Sequence, residues 1–372
     1  MTTAGQPERH DGMPLSRPLV VVLGEVLVEL SSTEPFAAGG SLRLGFSGDA
    51  LNVAAAAAAG GAWALLMARV PDDELGEALV ARCTELGVDT SAVVRAPGHH
   101  GVYFTHADPL GARQFAYARA GSVGASLSPD DLDVDLLADA DVVVASGITA
   151  ALSDSAREAV RRAATLARRF VYDPNYRPRL TTAGAAGDFL REIAPQAEVI
   201  TPSWPGETTA LLGLEPDVSA REAAAEALRL GSRSVVLTCG AAGAVVATGE
   251  HVVDVPAPPA RVVVDQTGAG DCLTGTLAAR LAAGDELDEA VRLGTAAASL
   301  SVAGQGGTGH VPSLEETRRV ALTVEGSHTA SETPDIPVTD RSLDATLQPA
   351  PSRRVIAPSQ PSQPRQGTEN RT

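Results

Sequence analysis

The sequence contains no lysine: all 29 basic residues in this chain of 372 are arginine. A P-loop binds nucleotide phosphates through the lysine of the string GxxxxGK[ST], so the chain cannot contain one. Any nucleotide site must therefore use backbone amides and arginine. The formal charge of −17 disfavours nucleic acid and anionic membranes as partners, because both are themselves negatively charged.

Cysteine is scarce and no long hydrophobic run is present. Cys83, Cys239 and Cys272 lie far apart, without a CxxC string or a Cys/His cluster, which indicates neither a disulfide framework nor a zinc site. The longest uncharged apolar run, residues 53–68, is mostly alanine and shorter than a membrane span, so it predicts a buried helix leading into a strand. Residues 1–16 are polar and lack the apolar core of a secretory signal. We therefore expect a soluble, cytoplasmic protein.

Short β-branched runs alternate with alanine-rich helical patterns between residues 17 and 324. Buried apolar strands separated by helices predict a mostly parallel sheet with helices on both faces. The expected strands are residues 19–23, 141–145, 170–172, 198–200, 234–238 and 261–264. The expected helices are residues 49–59, 73–86, 153–169, 185–194, 219–230, 271–283 and 287–303.

Four segments break this alternation. Residues 34–47 and 100–120 contain short alternating runs with turns, which predict a small separate sheet placed as a lid over the active-site edge. Residues 1–16 are expected to form a flexible arm. Residues 325–372 are rich in proline and polar residues and contain no aromatic residue, so we expect a disordered tail. The ordered domain is therefore predicted at residues 17–324.

Residues 264–271 read Val-Asp-Gln-Thr-Gly-Ala-Gly-Asp and stand between an apolar run and an alanine-rich stretch. This order predicts a strand, a tight turn and a helix whose first amides, on Gly268, Ala269 and Gly270, face an anion. Asp271 would repel phosphate, but it could accept the proton of a hydroxyl that attacks a phosphoryl group. The string therefore indicates phosphoryl transfer to an alcohol. An ordinary glycine-rich turn with an aspartate near a helix start is the alternative interpretation.

Residues 46–54 read Phe-Ser-Gly-Asp-Ala-Leu-Asn-Val-Ala and open the alanine-rich helix. Asp49 and Asn52 lie three residues apart, so they can direct a carboxylate and an amide toward vicinal hydroxyls. The pair is equally compatible with an Asx cap on that helix.

Residues 173–180 read Asp-Pro-Asn-Tyr-Arg-Pro-Arg-Leu and directly follow the expected strand 170–172. Ligands of parallel α/β folds bind beyond the carboxyl ends of strands, where this loop would lie. Pro174 and Pro178 stiffen the loop and hold its side chains in place. The alternative is a rigid loop with exposed arginines.

These three strings resemble motifs of one family. Residues 265–271 resemble the C-terminal signature of the ribokinase-like (PfkB) carbohydrate kinases. Residues 46–54 resemble the N-terminal glycine-rich motif of the same family, with Ser47 where the family usually has glycine. Residues 173–180 resemble the corresponding loop of the 2-keto-3-deoxygluconate kinases, a sugar-acid branch of the family.

The resemblance spans about residues 18–322 and implies a ribokinase-like three-layer α/β/α sandwich with a mostly parallel sheet and a small β-sheet lid. It implies ATP-dependent phosphorylation of a sugar hydroxyl with Mg²⁺, 2-keto-3-deoxygluconate as the substrate, and a homo-oligomer formed through the lid. A kinase of a neutral sugar (fructose or ribose) or of a nucleoside is the alternative on the same fold. A non-catalytic sugar- or nucleotide-binding regulator is less compatible, because a pure binding protein has no use for Asp271.

Carried over by position, the resemblance also implies site residues. Arg119 and Arg177 favour a sugar acid, because an arginine fork matches a carboxylate and a neutral sugar would leave both without that partner. Glu207 is the candidate for ordering a magnesium-bound water; a glutamate favoured by the dipole of a helix start is the alternative. The expected substrate-binding residues are Gly48, Asp49, Asn52, Tyr103, Tyr117, Arg119, Asn175 and Arg177. The expected nucleotide-binding residues are Thr238, Gly240, Gly243, Thr267 and Ala297.

Overall fold

The computed structural model describes residues 17–325, apart from residue 33, residues 108–112 and residue 250. The predicted arm, and all but the first residue of the predicted tail, lie outside the described residues. None of the helices in the described part of the chain is both long and apolar enough to cross a membrane.

Fourteen strands lie within the described residues, in two sheets. In the large sheet the order is β14-β13-β12-β11-β10-β9-β1-β4-β5, with β6 paired to β4; β13 and β14 are antiparallel to their neighbours and the other pairings are parallel. The small sheet has the order β3-β2-β7-β8. The strands are β1 Leu19–Leu23, β2 Leu27–Ser32, β3 Arg43–Ser47, β4 Trp63–Pro71, β5 Val88–Asp89, β6 Val93–Ala96, β7 Val102–Ala107, β8 Arg113–Ala118, β9 Val142–Ser146, β10 Phe170–Asp173, β11 Val199–Ile200, β12 Ser234–Thr238, β13 Gly243–Thr248 and β14 His251–Pro256.

Eleven α-helices lie within the described residues, and the seven helices expected from the sequence are among them. They are α1 Asp49–Ala59, α2 Glu74–Glu85, α3 Val134–Asp139, α4 Gly147–Leu152, α5 Asp154–Leu166, α6 Ala183–Ile193, α7 Gly206–Leu212, α8 Ala220–Leu228, α9 Ala269–Ala282, α10 Leu287–Ser301 and α11 Leu314–Glu325. The apolar run 53–68 forms the end of α1 and the start of β4, as predicted.

Strand β1 lies inside the large sheet between β9 and β4 and is buried along its whole length. Leu19, Val21 and Leu23 pack into one apolar cluster with residues of α5, α6 and α8. Val20 and Val22 face the other side and pack with residues of α1, α2, α9 and α10. Because helices cover both faces, every position of the strand is apolar. The expected three-layer α/β/α sandwich is confirmed.

The small sheet includes the two segments predicted as a lid. Strand β3 lies in the first segment and β7 and β8 in the second, while β2, which lies at the centre between β3 and β7, was not expected from the sequence. Three apolar side chains of the first segment, Phe36, Leu42 and Leu44, are exposed. The lid function and the homo-oligomer through this sheet stay predictions.

The predicted strand at residues 261–264 is wrong, because these residues form no strand. All three valines of the run are more than half exposed. The amides of Val264 and Asp265 both donate to the carbonyl of Val302, at 2.7 and 3.1 Å. Val302 ends α10, so the run contacts a helix terminus and has no neighbouring strand. β-branched residues favour a strand only where a half-buried sheet position is available.

Helix α9 packs closely against α1 because Gly275 has no side chain. A Cβ atom built at Gly275 would lie 2.2 Å from the carbonyl oxygen of Val53 and 2.8 Å from the Cβ of Ala56. Gly275 lies one helical turn after Asp271, and Val53 directly follows Asn52. The close approach of the two helices therefore bears directly on the distance between those two candidate site residues.

Gly275→Ala should destabilise the protein although alanine is the better helix former. We expect a loss of about 1–3 kcal/mol in the free energy of unfolding, because the methyl group must push the two helices apart. Gly184→Ala in α6 is the matched control, since no atom lies within 4 Å of its added Cβ. That control should leave stability unchanged or raise it by up to about 1 kcal/mol. Equal stability of both variants by urea unfolding would contradict the packing argument.

Candidate active site

The candidate residues gather at the carboxyl ends of parallel strands. Glu25 follows β1, Ser146 ends β9, Asp173 ends β10 and Thr238 ends β12. A small cavity at this edge is lined by Asp49 together with Ser146 and Asp173. This edge is where parallel α/β sheets bind their ligands.

The glycine turn and the helix start predicted at residues 267–271 are confirmed. Gly268 precedes α9 with φ +80°, a left-handed conformation that glycine adopts without strain. The predicted anion cradle is only partly available, because the amide of Ala269 donates to the carbonyl of Gln266 at 3.2 Å. Among the described residues, the amides of Gly268 and Gly270 donate no backbone hydrogen bond outside the regular helices and strands, which is compatible with binding an anion.

Asp271 is buried in the first turn of α9 and holds two hydrogen bonds from distant parts of the chain. Asn52 Nδ2 donates to Asp271 Oδ2 at 2.8 Å, and Asn175 Nδ2 donates to Asp271 Oδ1 at 3.1 Å. Asn175 has φ +41°, a left-handed conformation that asparagine tolerates. Its backbone N–H donates to Asp173 Oδ1. The three strings singled out in the sequence therefore meet at one carboxylate, and both asparagines expected to bind substrate contact it.

The environment of Asp271 acts on its pKa in two directions. Burial raises the pKa, because it disfavours the charged carboxylate. The Asn52 and Asn175 amides and the positive charge of Arg177 lower it, because each stabilises that charge. The site therefore contains a desolvated carboxylate whose ionised form is supported by two neutral donors and one cation.

Asp49 and Gly48 lie at the start of α1. Asp49 is buried and accepts a hydrogen bond from the Ser146 hydroxyl; burial and the nearby charge of Asp271 raise its pKa to about 6. Gly48 has φ +123°, and a Cβ there would lie 2.5 Å from the carbonyl oxygen of Glu25. Gly48 thus allows a close approach of backbone to backbone.

Arg119 is paired with Glu25, a residue that was not predicted. Arg119 Nη1 donates to Glu25 Oε2 at 3.0 Å, and its guanidinium lies over the Tyr117 ring at 4.7 Å from the centroid. Glu25 is fully buried, and burial raises its pKa to about 7. The argument that a neutral sugar would leave Arg119 unpartnered is therefore wrong. A charged residue two positions after the end of a buried strand is the sequence signal that could have identified Glu25.

Tyr103 is buried in the small sheet and donates its hydroxyl hydrogen to Glu29. The two residues are paired across β2 and β7, and Tyr103 also pairs with Tyr117 across β7 and β8. Burial raises the pKa of Glu29. Glu29 was also not predicted, because its place opposite Tyr103 follows from strand register.

Glu207 and Asp173 form a buried acidic pair near Asp271. Glu207 accepts backbone hydrogen bonds from Tyr176 and, at 2.8 Å, from Ser203, so it braces the loop that follows β10. Burial raises the pKa of both carboxyl groups, and repulsion from Glu207 and Asp271 raises that of Asp173 further. No group of three or more histidine, cysteine, aspartate or glutamate residues in the described chain has the arrangement of a metal site.

The residues expected to bind the nucleotide lie in three different parts of the structure. Residues 238–243 form the turn between β12 and β13, and Gly243 has φ +107°. Thr267 donates its hydroxyl hydrogen to Asp265 at 2.8 Å, which closes the turn before α9. Ala297 is buried against Ala56 and Cys272, so its side chain offers no surface to a nucleotide.

Glu25→Gln should make the stability of the protein less sensitive to a rise in pH through the neutral range. The pKa of Glu25 is raised from 4.5 to about 7 in the folded protein. The protonated form of Glu25 contributes to the stability of the folded protein. This contribution is fully present below pH 4.5 and is lost as the pH rises through the folded-state pKa of about 7. Because glutamine cannot ionise, the variant should gain stability relative to the wild type between about pH 5 and about pH 8. Melting temperatures across this range test the prediction, with the exposed Glu85→Gln as control; a pH-independent difference would contradict it.

Comparisons with known proteins agree with this architecture. Residues 17–314 match the model of the pfkB family carbohydrate kinases. The 2-dehydro-3-deoxygluconokinase of Thermoproteus tenax is 35% identical over 315 residues, which cover 81% of this chain and 93% of that protein. The 2-dehydro-3-deoxygalactonokinase of Haloferax volcanii is 29% identical over 76% of this chain and 90% of its own length.

The fold is also shared with solved structures. A protein named Ribokinase II from E. coli, in complex with ATP and Mg²⁺, superposes with a TM-score of 0.73 at 24% identity, and the match covers 82% of this chain and 99% of that one. With four-fifths of its length matched to the family and a buried aspartate at the start of α9, this chain belongs to the pfkB family of carbohydrate kinases and is a sugar kinase.

Proposed function

We propose that this kinase transfers the terminal phosphoryl group of ATP to 2-keto-3-deoxygluconate (2-dehydro-3-deoxygluconate), forming the 6-phosphate. The observation that carries the reaction type is the buried carboxylate of Asp271 at the α9 N-terminus, held by Asn52 and Asn175. The substrate is supported by the 35% identity to a 2-dehydro-3-deoxygluconokinase over most of both chains.

In this proposal Asp271 is the general base. The sugar hydroxyl forms a bond to the terminal phosphorus, the bond from that phosphorus to ADP breaks, and the hydroxyl proton passes to Asp271. Each carboxylate oxygen of Asp271 accepts one hydrogen bond, from Asn52 or from Asn175, which leaves further lone pairs for the substrate hydroxyl. The amides of Gly268 and Gly270 face the transferring group, where the helix dipole offsets its charge.

The nucleotide is proposed to bind beside the turn at residues 238–243 and near Thr267. With no lysine in the chain, phosphate contacts come from backbone amides and arginine. The acidic pair Asp173 and Glu207 fits a nearby Mg²⁺, because a divalent cation would relieve the repulsion that raises the pKa of Asp173. Mg²⁺ keeps several waters, so Glu207 would act on it through water. The bound ion supplies neutralisation of phosphate charge.

The sugar is proposed to bind between α1 and the small sheet, near Asp49, Tyr117 and Arg177. Arg177 is the arginine proposed for the substrate carboxylate, because it is exposed and, among the described residues, its guanidinium donates to the Tyr176 carbonyl and forms no ion pair within 4 Å. Arg119 already has Glu25 as its counter-ion and presents a neutral pair. That neutral pair favours the second candidate, a kinase of a neutral sugar such as fructose or ribose.

A substrate panel tests the proposed function. ADP release should be measured with 2-keto-3-deoxygluconate, its galactonate epimer, fructose and ribose at equal concentrations. We expect the highest kcat/KM with one of the two sugar acids. A preference for fructose or ribose would overturn the sugar-acid proposal and leave the kinase assignment intact.

Asp271→Asn should abolish turnover while leaving ATP and sugar binding largely unchanged. The amide keeps the shape of the side chain but cannot accept the proton, and loss of a general base costs about 10²–10⁴ in kcat. The same substitution at the exposed Asp188 of α6 is the control. A variant that kept most of the wild-type kcat would remove Asp271 from the mechanism.

Arg177→Ala should raise KM for the sugar acid by about ten- to a hundredfold, because a charge-assisted hydrogen bond is lost. KM for ATP should change much less. Arg179→Ala, the same change two residues further along the loop, is the matched control. An equal effect of Arg177→Ala on acid and neutral substrates would show that Arg177 does not recognise the carboxylate.

A further inference from the structure

Ser47 is connected to the proposed base, Asp271, through the side chain of Asn52. Its side chain is buried at the end of β3, and its hydroxyl donates to Asn52 Oδ1 at 3.2 Å. The other end of the same carboxamide, Nδ2, donates to Asp271 Oδ2 at 2.8 Å. Serine, carboxamide and carboxylate therefore form a continuous hydrogen-bonded path, and each member comes from a different element: β3, α1 and α9.

The path matters because a carboxamide has two orientations of nearly the same shape. In one orientation the Asn52 nitrogen faces the carboxylate of Asp271 and donates to it. In the other, the Asn52 oxygen would face the carboxylate, and two acceptors would repel each other. The Asp271 carboxylate, which can only accept, therefore selects the first orientation, and in that orientation the Ser47 hydroxyl donates to Oδ1 and anchors the other end of the carboxamide.

The space around Asn52 is also restricted. A Cβ atom built at Gly307 would lie 2.4 Å from Asn52 Nδ2, and one built at Gly268 would lie 3.3 Å from the same nitrogen. The carboxamide therefore sits in a narrow slot between two glycine backbones, and the Ser47 hydroxyl contacts its acceptor end.

We propose that Ser47 is a positioning residue for phosphoryl transfer, because its hydroxyl anchors the oxygen end of the Asn52 carboxamide, whose nitrogen donates to the Asp271 carboxylate. The inference rests on the proposed role of Asp271 as general base. A glycine at this position, which is the usual residue in the motif that residues 46–54 resemble, could not make this contact. The contact therefore belongs to this chain's own sequence.

Ser47 also links the small sheet to the base. It is paired with Leu27 across β2 and β3, so it belongs to the small sheet. A movement of the small sheet would displace Ser47 and hence the Asn52 carboxamide.

The titration of Asp271 can report on the role of Ser47, provided that the other charged groups facing Asp271 are unchanged. They are Asp49 on α1, Asp173 at the end of β10 and Arg177 in the following loop. None of them is changed when the Ser47 hydroxyl is removed. A shift in the titration of Asp271 in such a variant is therefore assigned to the Asn52 contact.

Ser47→Ala should lower kcat by about two- to tenfold, the loss expected for one hydrogen bond. KM for sugar and for ATP should change less than about twofold, because the proposed role acts through Asn52 on the base. The acidic limb of the kcat–pH profile should move to higher pH, since a weakened Asn52 donor lowers the pKa of Asp271 less. Ser47→Thr, which keeps the hydroxyl, should restore both readouts.

Ser31→Ala is the matched control. It removes a buried hydroxyl from β2 of the same sheet, four residues along the strand from the position paired with Ser47. It should leave kcat and its pH profile unchanged. Ser47→Gly is a second removal variant in case the alanine variant folds poorly, which melting temperatures would reveal.

A double-mutant cycle with Asn52→Ala decides whether Ser47 acts through Asn52. In the Asn52→Ala background, Ser47→Ala should have no further effect on kcat. Additive losses, or a rise in sugar KM without a change in kcat, would overturn the positioning role. If Asp271→Asn retained activity, the base assignment itself would fail, which is a separate result from a wild-type-like Ser47→Ala.

Discussion

The Asp271 carboxylate and its two asparagine donors are the interaction on which the candidate site depends. Asn52 lies 219 residues and Asn175 lies 96 residues from Asp271 in the chain, so the contacts join three motifs that share no local structure. The approach of α1 to α9 at Gly275 makes the first contact possible. Without these donors the buried carboxylate would be costly to ionise, since burial alone raises its pKa.

The same constraint extends to the other buried acids around Asp271. Glu25 has Arg119 as a counter-ion, Asp49 has the Ser146 hydroxyl, and Glu207 has two backbone amides. Each contact offsets part of the desolvation of a carboxylate, and the pKa of each group still lies above its ordinary range. Asp173 accepts the backbone amide of Asn175, and repulsion from Glu207 and Asp271 adds to burial in raising its pKa.

The sequence predicted the large sheet well where strands are buried on both faces. Such strands are continuous apolar runs, and residues 19–23 and 234–238 were read from that pattern alone. It failed for the antiparallel edge: β13 and β14 were not foreseen, whereas residues 261–264 were expected to be a strand and contact the end of α10. Strand β14 and residues 261–264 are both short and rich in valine, so only the presence of a neighbouring strand separates them.

For the site, the sequence by itself determined the family, the glycine turn before α9 and the identity of the aspartate, because these depend on local residue order. Tertiary structure decided which groups face each other. Glu25 neutralises Arg119, the amide of Ala269 is used within its own turn, and Ser47 contacts Asn52 because β3 and α1 meet there. Hydrogen-bond partners depend on distances of a few ångströms between elements far apart in the chain, and no local pattern encodes those distances.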